Sequence, residues 1–294
     1  LSSIEHAWPQ HRAFLARTFS GLATEDTAIV EDLARKVLLL AGDELPSFVD
    51  DYRWMCGLFL KHEIAYRRSR TTAHTDAAEI LAAYYDNPGA MTRYMRGLLV
   101  SQVVWPQHLG VQIFAEREFF PRLKEGYRYL EVGPGHGITL ATAGADRRCG
   151  TLSGCDISQT SIAMTRDSLT RLGVGRPVDL VHSDICTDHV DAPVADAIVL
   201  SQVLELVASP EKALDNLAAR LAPGGLIFIN TPVRLLAPDH IRVWNSDQEI
   251  LDLIDASGLD LVLSERIHVD RMRTDESQGF SLVTIARKPA GPGS

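Results

Sequence analysis

Tyr129-Leu130-Glu131-Val132-Gly133-Pro134-Gly135-His136-Gly137-Ile138 is a short apolar run that ends in three glycines at alternate positions. The run predicts a buried strand, the glycines a sharp turn, and the residues from Ile138 a helix. Lacking Cβ atoms, the glycines let the backbone come close to a bound molecule. The helix behind the turn aims its free N–H groups at the same place. Such a site suits a nucleotide-like ligand.

The spacing narrows the choice of ligand. A dinucleotide fingerprint reads G-x-G-x-x-G and would need a third glycine where Ile138 stands. The chain instead reads Glu131-x-Gly133-x-Gly135-x-Gly137. An acid at the strand end followed by G-x-G-x-G resembles motif I of the class I, Rossmann-like methyltransferases that use S-adenosyl-L-methionine (SAM). SAM carries an ammonium and a sulfonium and no pyrophosphate, so a carboxylate such as Glu131 suits it. The competing reading is a generic strand-to-helix turn of an α/β domain, and the segments downstream weigh against it.

Outward from this turn the chain has two textures. From 126 onward, strand-like runs at 128–132, 151–155, 178–182, 195–200 and 226–230 alternate with helical segments, the clearest at 158–172 and 210–221. That alternation predicts an α/β fold with a parallel sheet. The runs at 259–267 and 280–287 have no helix between them and are expected to pair antiparallel. Before 125, apolar residues recur at helical spacing, as at Ile29, Leu33, Val37, Leu38 and Leu40. Five or six helices and no strand are expected there, with turns at Ala41-Gly42-Asp43 and Asp86-Asn87-Pro88-Gly89. The expected organisation is a helical cap over 1–125, a SAM-binding domain over 126–288 and a linker-like tail over 289–294.

Ligands of open α/β sheets sit at the carboxyl ends of the strands. Asp156, at the end of the second strand, is placed to accept both ribose hydroxyls of an adenosine, and Ile157 to pack on the adenine. Ser158 is the better cap for the next helix. The third strand ends His182-Ser183-Asp184-Ile185, and the resemblance gives Asp184 the adenine amino group. The fourth strand runs into Ser201-Gln202-Val203-Leu204-Glu205-Leu206, similar to a family segment often written E-V-L-E-H. Here Gln202 replaces the first acid and Leu206 the histidine. Ser201 and Gln202 then flank the methionine end of SAM. Leu221-Ala222-Pro223-Gly224-Gly225-Leu226, before the fifth strand, is also typical of the family.

Methyl transfer to a hydroxyl needs a base, whereas an amine needs one less. His240 lies in the proline-bounded stretch 232–241, after the fifth strand and on the ligand edge of the sheet. Glu205 follows the fourth strand on the same edge. A carboxylate beside an imidazole sets its tautomer and stabilises the imidazolium, so His240 is the expected base and Glu205 its partner. The opposing reading makes His240 a surface loop residue and Glu205 a solvated helix residue. His136 is expected to shape the cofactor edge, His108 to roof the acceptor pocket, and His182 to sit in the core. Tyr94, Met95 and Trp105 read as core or as pocket wall.

Composition limits the partners. With 294 residues, 46% hydrophobic and 23% charged, the chain can build one large domain and a smaller unit. A net charge of −9 argues against nucleic acid. No apolar run reaches membrane-spanning length, and the first residues lack signal-peptide character, so a cytoplasmic protein is expected. Cys56, Cys149, Cys155 and Cys186 show no C-x-x-C pairing, and His62-Glu63 lacks the second histidine of a zinc motif, so no metal is expected. Arg67, Arg68 and Arg70 read as a solvated helix end, or else as a contact for an anionic substrate or an acyl carrier protein. The missing first Met and the linker-like tail resemble an O-methyltransferase domain cut from a modular polyketide or peptide synthase. The acceptor is then a small molecule or a carrier-bound acyl chain. The alternatives are a free-standing N- or C-methyltransferase of natural-product biosynthesis, a non-catalytic SAM-binding module, and a nicotinamide-dependent reductase.

Overall fold

The computed structural model describes residues 1–187, 190–270 and 278–290. Its first part is helical: α1 (Ser2–Ala7), α2 (Arg12–Phe19), α3 (Thr27–Ala41), α4 (Leu45–Ser69), α5 (Ala77–Ile80), α6 (Pro88–Val104) and α7 (Pro106–Phe114). That is more pieces than the five or six expected, because prolines and tight turns cut the helical pattern. Trp105 is extended, at φ −93° and ψ 127°, since the Pro106 ring excludes the helical conformation before it; α6 therefore stops and α7 restarts. Asn87 caps α6 by accepting from the Ala90 N–H at 3.1 Å. Leu33, Val37, Tyr52, Met55 and Tyr94 form the centre of this helical layer. At Gly97 a Cβ would come within 2.8 Å of Met55, so α4 and α6 touch closely there.

The second part is β1 (Tyr127–Val132), α8 (Ile138–Ala145), β2 (Cys149–Asp156), α9 (Gln159–Arg171), β3 (Val178–His182), β4 (Ala195–Ser201), α10 (Pro210–Arg220), β5 (Leu221–Val233), α11 (Asp247–Ala256), β6 (Asp260–His268) and β7 (Phe280–Arg287). The strands lie in the order β3-β2-β1-β4-β5-β7-β6. β1 to β5 are parallel, and β7 runs antiparallel to both β5 and β6. This is the Rossmann-like sheet with an antiparallel hairpin that the alternation predicts. β4 is apolar almost throughout and buried at its centre, as a strand covered on both faces must be. Residues of α7, α8 and α9 cover one face, where Phe114 and Phe119 pack on Phe228. Residues of α10 and α11 cover the other. The sequence reading omitted α11; Ser246 caps it by accepting from the Glu249 N–H.

β3 is the edge strand, and His182 at its end is exposed. The expectation of a core histidine is therefore corrected: its Nε2 bonds the Ile157 carbonyl at 2.8 Å. All four cysteines are free thiols. Among the described residues, no helix is long and apolar enough to cross a membrane. His189 and the last four residues of the 289–294 tail lie outside the described residues.

The strand order reverses direction between β1 and β4, which opens a crevice at their carboxyl ends. The helical layer closes over that crevice.

Candidate active site

The turn after β1 is made by three left-handed glycines, at φ +64° for Gly133, +50° for Gly135 and +73° for Gly137. A Cβ at Gly133 would lie 3.0 Å from Val203, and one at Gly135 3.3 Å from the sulfur of Met95. Gly133 and Gly135 thus keep a narrow channel between sheet and cap. Gly137 does not line it; it opens α8, with its carbonyl accepting from the Ala141 N–H at 2.9 Å. Glu131 is buried, and its Oε2 accepts from the Tyr129 hydroxyl at 3.1 Å. The two side chains meet because residues two apart on a strand share a face. Burial pushes the Glu131 carboxyl up to about 8.

Asp156 ends β2, buried. Its Oδ1 accepts from the Ser158 N–H at 2.9 Å and its Oδ2 from the Ser161 hydroxyl at 2.5 Å. Both oxygens therefore already hold their own loop, and each keeps a lone pair for a further donor. Ser158 caps α9 and donates its hydroxyl to the Tyr85 carbonyl at 2.9 Å, tying this loop to the cap. Ile157 stands at the rim, 36% exposed. Asp184 Oδ1 accepts from the Cys186 N–H at 2.8 Å, and Ile185 between them is buried. Ser201 accepts from the Asn230 amide at 2.9 Å. Gln202 sits at φ +58°, a conformation most residues avoid, with its N–H on the Asn230 carbonyl.

Glu131, Gly133, Gly135, Asp156, Ile157, Asp184, Ile185, Ser201 and Gln202 line one cavity of about 360 Å³ that also contains Glu205 and His240. Neither of the last two is on the surface. Glu205 is fully buried, and neither carboxyl oxygen has a hydrogen-bond partner. His240 is 4% exposed; its ring faces the Leu235 backbone and its Nε2 lies 4.0 Å from Glu205 Oε1. Burial, then the charge of Asp239, pushes the Glu205 carboxyl well up; burial pulls the His240 imidazole down to about 4. The His240 loop is held by the Ile241 and Arg242 N–H groups, which donate to the Glu205 carbonyl.

Sequence reasoning missed Asp239 and Tyr85. Asp239 accepts from the Tyr85 hydroxyl at 2.8 Å and from the Tyr94 hydroxyl at 2.9 Å. Both tyrosines come from the cap. Nothing local marks this arrangement, because the partners are 154 and 145 residues apart in sequence. On the far side of the cavity, His108 Nδ1 bonds the Ser101 hydroxyl at 2.8 Å, and His136 Nδ1 accepts from the Ile138 N–H at 3.3 Å. Burial lowers His108 to about 3 and His136 to about 4. Arg67 pairs with Glu63 on the exposed end of α4, away from the cavity lining.

A glycine turn, an acid at the end of each of the next two strands and a helical layer above them border a cavity whose chemistry suits an adenosyl ligand. A family profile described as a methyltransferase domain matches residues 108–266, more than half of the chain. The chain belongs to this methyltransferase family. Its cofactor is S-adenosyl-L-methionine. Among curated relatives, it is 31% identical over 136 residues to a carboxy-S-adenosyl-L-methionine synthase of Chromohalobacter salexigens, covering 45% of this chain and 48% of the relative. It is 27% identical over 172 residues to a ubiquinone biosynthesis O-methyltransferase of Bordetella avium, covering 55% and 64%. The methyltransferase thus spans about half to under two thirds of the length of these relatives. Among solved structures, it resembles PigF bound to SAH, with a TM-score of 0.57 at 17% identity over 83% of this chain and 73% of that one. It also resembles the [4+2]-cyclase SpnF, with a TM-score of 0.51 at 20% identity over 62% and 82%. At these identities the structural likenesses establish the fold alone.

The methyltransferase's own residues fit the cofactor. The glycine turn leaves room that a Cβ would fill, and Glu131 is a buried carboxyl without a cation beside it.

Proposed function

We propose that this methyltransferase moves a methyl group from SAM to a hydroxyl of a small molecule or of a carrier-bound acyl chain, with His240 as base and Glu205 as its partner. In this reading Glu131, Gly133 and Gly135 form the methionine-side cradle, and Gly137 shapes the turn into α8 behind it. Asp156 and Ile157 hold the ribose and adenine, Asp184 and Ile185 the far edge of the adenine, and Ser201 and Gln202 the methionine end. The helices of 1–125 serve as cap, except α7, which packs on the sheet, and residues 126–288 form the SAM-binding unit. SAM supplies an already activated methyl group, which leaves alignment and proton removal to the protein.

The observation that carries the reading is this buried pair. Glu205 Oε1 and His240 Nε2, 4.0 Å apart, are both buried in the cavity that contains the glycine turn. One hydroxyl placed between them reaches both within hydrogen-bond distance. His240, held neutral by burial, is ready to take its proton. Glu205 ionises more readily beside a cation, and its carboxylate then stabilises the imidazolium that forms. The O-methyltransferase among the curated relatives supports a hydroxyl acceptor.

The test follows S-adenosylhomocysteine release from SAM with a panel of phenols and alcohols. His240→Ala is expected to lower kcat about 10²- to 10⁴-fold with the KM for SAM unchanged. Glu205→Gln is expected to lower it less and to shift the pH profile. Unchanged turnover in both variants would sink the base assignment and favour an amine acceptor.

A further inference from the structure

The cavity has a one-sided charge inventory. Glu131, Asp156, Asp184, Glu205 and Asp239 all line it. Among the described lining residues, none is lysine or arginine. The histidines do not substitute for them, since burial lowers His108, His136 and His240 and keeps them neutral. The helices above the sheet add apolar side chains, Phe59, Ile80, Met91, Met95, Leu98 and Trp105, and three neutral amides, Gln102, Gln107 and Gln112.

Each class of acceptor meets this wall differently. A carboxylate or phosphate would lose its water beside Glu205 and Asp239, with no lysine or arginine among the described lining residues to pair with it, an unfavourable burial. An ammonium would be held well, but the same carboxyl groups would oppose the proton loss that makes it a nucleophile. A hydroxyl loses little on entry. Its single proton has an acceptor in His240 Nε2, and its oxygen keeps lone pairs for a further donor.

We infer that the acceptor is an electrically neutral hydroxyl compound with an apolar body, and that any acid group on the part that enters is masked as an ester, amide or thioester. The hydroxyl rests on the reading in the preceding subsection, whereas the exclusion of anions stands on the cavity lining alone. The reaction that supplies this acceptor is then one that leaves no free acid on the entering part.

The test uses the full chain saturated with S-adenosylhomocysteine and two dyes with the same ring system. N-phenyl-1-naphthylamine is neutral, and 8-anilino-1-naphthalenesulfonate carries a sulfonate. Fluorescence titration is expected to show the neutral dye binding at least about tenfold more tightly. Leu98→Arg, on α6, is expected to narrow or reverse that ratio. Leu81→Arg, in the turn after α5, makes the same change from another element and serves if the first variant fails to fold. Equal affinity for the two dyes, binding of neither, or a ratio that both arginines leave unchanged would overturn the inference. The dye ratio does not depend on turnover, so the loss or survival of the His240 assignment is read separately.

Discussion

The cofactor side of the cavity and its acceptor side are held in different ways. On the cofactor side, the carboxyl groups are satisfied by neighbours in sequence. Asp156 holds Ser158 and Ser161, Asp184 holds Cys186, and Glu131 meets Tyr129. On the acceptor side the bonds are remote. Tyr85 and Tyr94 reach Asp239, and Thr72 reaches the Ile241 carbonyl across 169 residues. This side also contains His240 and Glu205, whose carboxyl oxygens have no hydrogen-bond partner. The carboxyl groups of the first side are thus held locally, whereas Asp239 on the second depends on the helical layer.

The sharpest way to break this contrast is Asp239→Ala. It strands two tyrosine hydroxyls, and hydrogen bonds to a charged group are each worth about 1.5–3 kcal/mol. A loss of roughly 3–5 kcal/mol in denaturant unfolding is expected, with proteolytic cuts appearing in α5 and α6. A variant as stable as the parent would show that the remote bonds do not hold the cap. Asp156→Asn probes the local side. Calorimetry is expected to show S-adenosylhomocysteine binding weakened roughly 30- to 100-fold, with a smaller effect on stability. An unchanged affinity would remove Asp156 from the cofactor site.

Glu131 gives a pH test. Burial raises its carboxyl from the usual 4.5 to about 8, so at pH 7 it is mostly protonated. A raised carboxyl contributes stability below its usual value and loses it as pH climbs through the raised one. Tm is therefore expected to fall between about pH 5 and 8.5, and Glu131→Gln to make that fall shallower. SAM binding at pH 7 is expected to release protons from Glu131 and Glu205, read as a dependence of binding heat on buffer ionisation, and Glu131→Gln to reduce the release. Heat independent of buffer would place the cation elsewhere. The smallest effect is at Gln202, whose left-handed backbone costs about 1–2 kcal/mol for a residue with a Cβ. Gln202→Gly is expected to raise stability by about 1 kcal/mol while lowering turnover; unchanged turnover would leave the side chain without a role in the reaction.

The same contrast explains what the sequence disclosed. The alternation of strands and helices after 126 was legible because hydrophobic period and turn residues are local signals. So were the glycine turn and the acids at the ends of β2 and β3. His240 and Glu205 stood out because both follow strands on one edge of the sheet. Asp239 sits beside His240 in the same proline-bounded loop, yet its partners Tyr85 and Tyr94 are set by how the cap closes. That closure depends on packing such as Gly97 against Met55, which no single segment announces. His182 was misjudged because a strand's place at the sheet edge is a property of topology and not of the strand.

Asp239 belongs by sequence to the loop after β5 but by its bonds to the cap. A chimera joining this cap to another family member's sheet would separate a carboxylate from the two phenols that solvate it. Recombination at the start of β1 would therefore cut through a single cooperative unit. Any exchange of acceptor preference between relatives should carry the loop from Arg234 to Arg242 together with the helices, or carry neither.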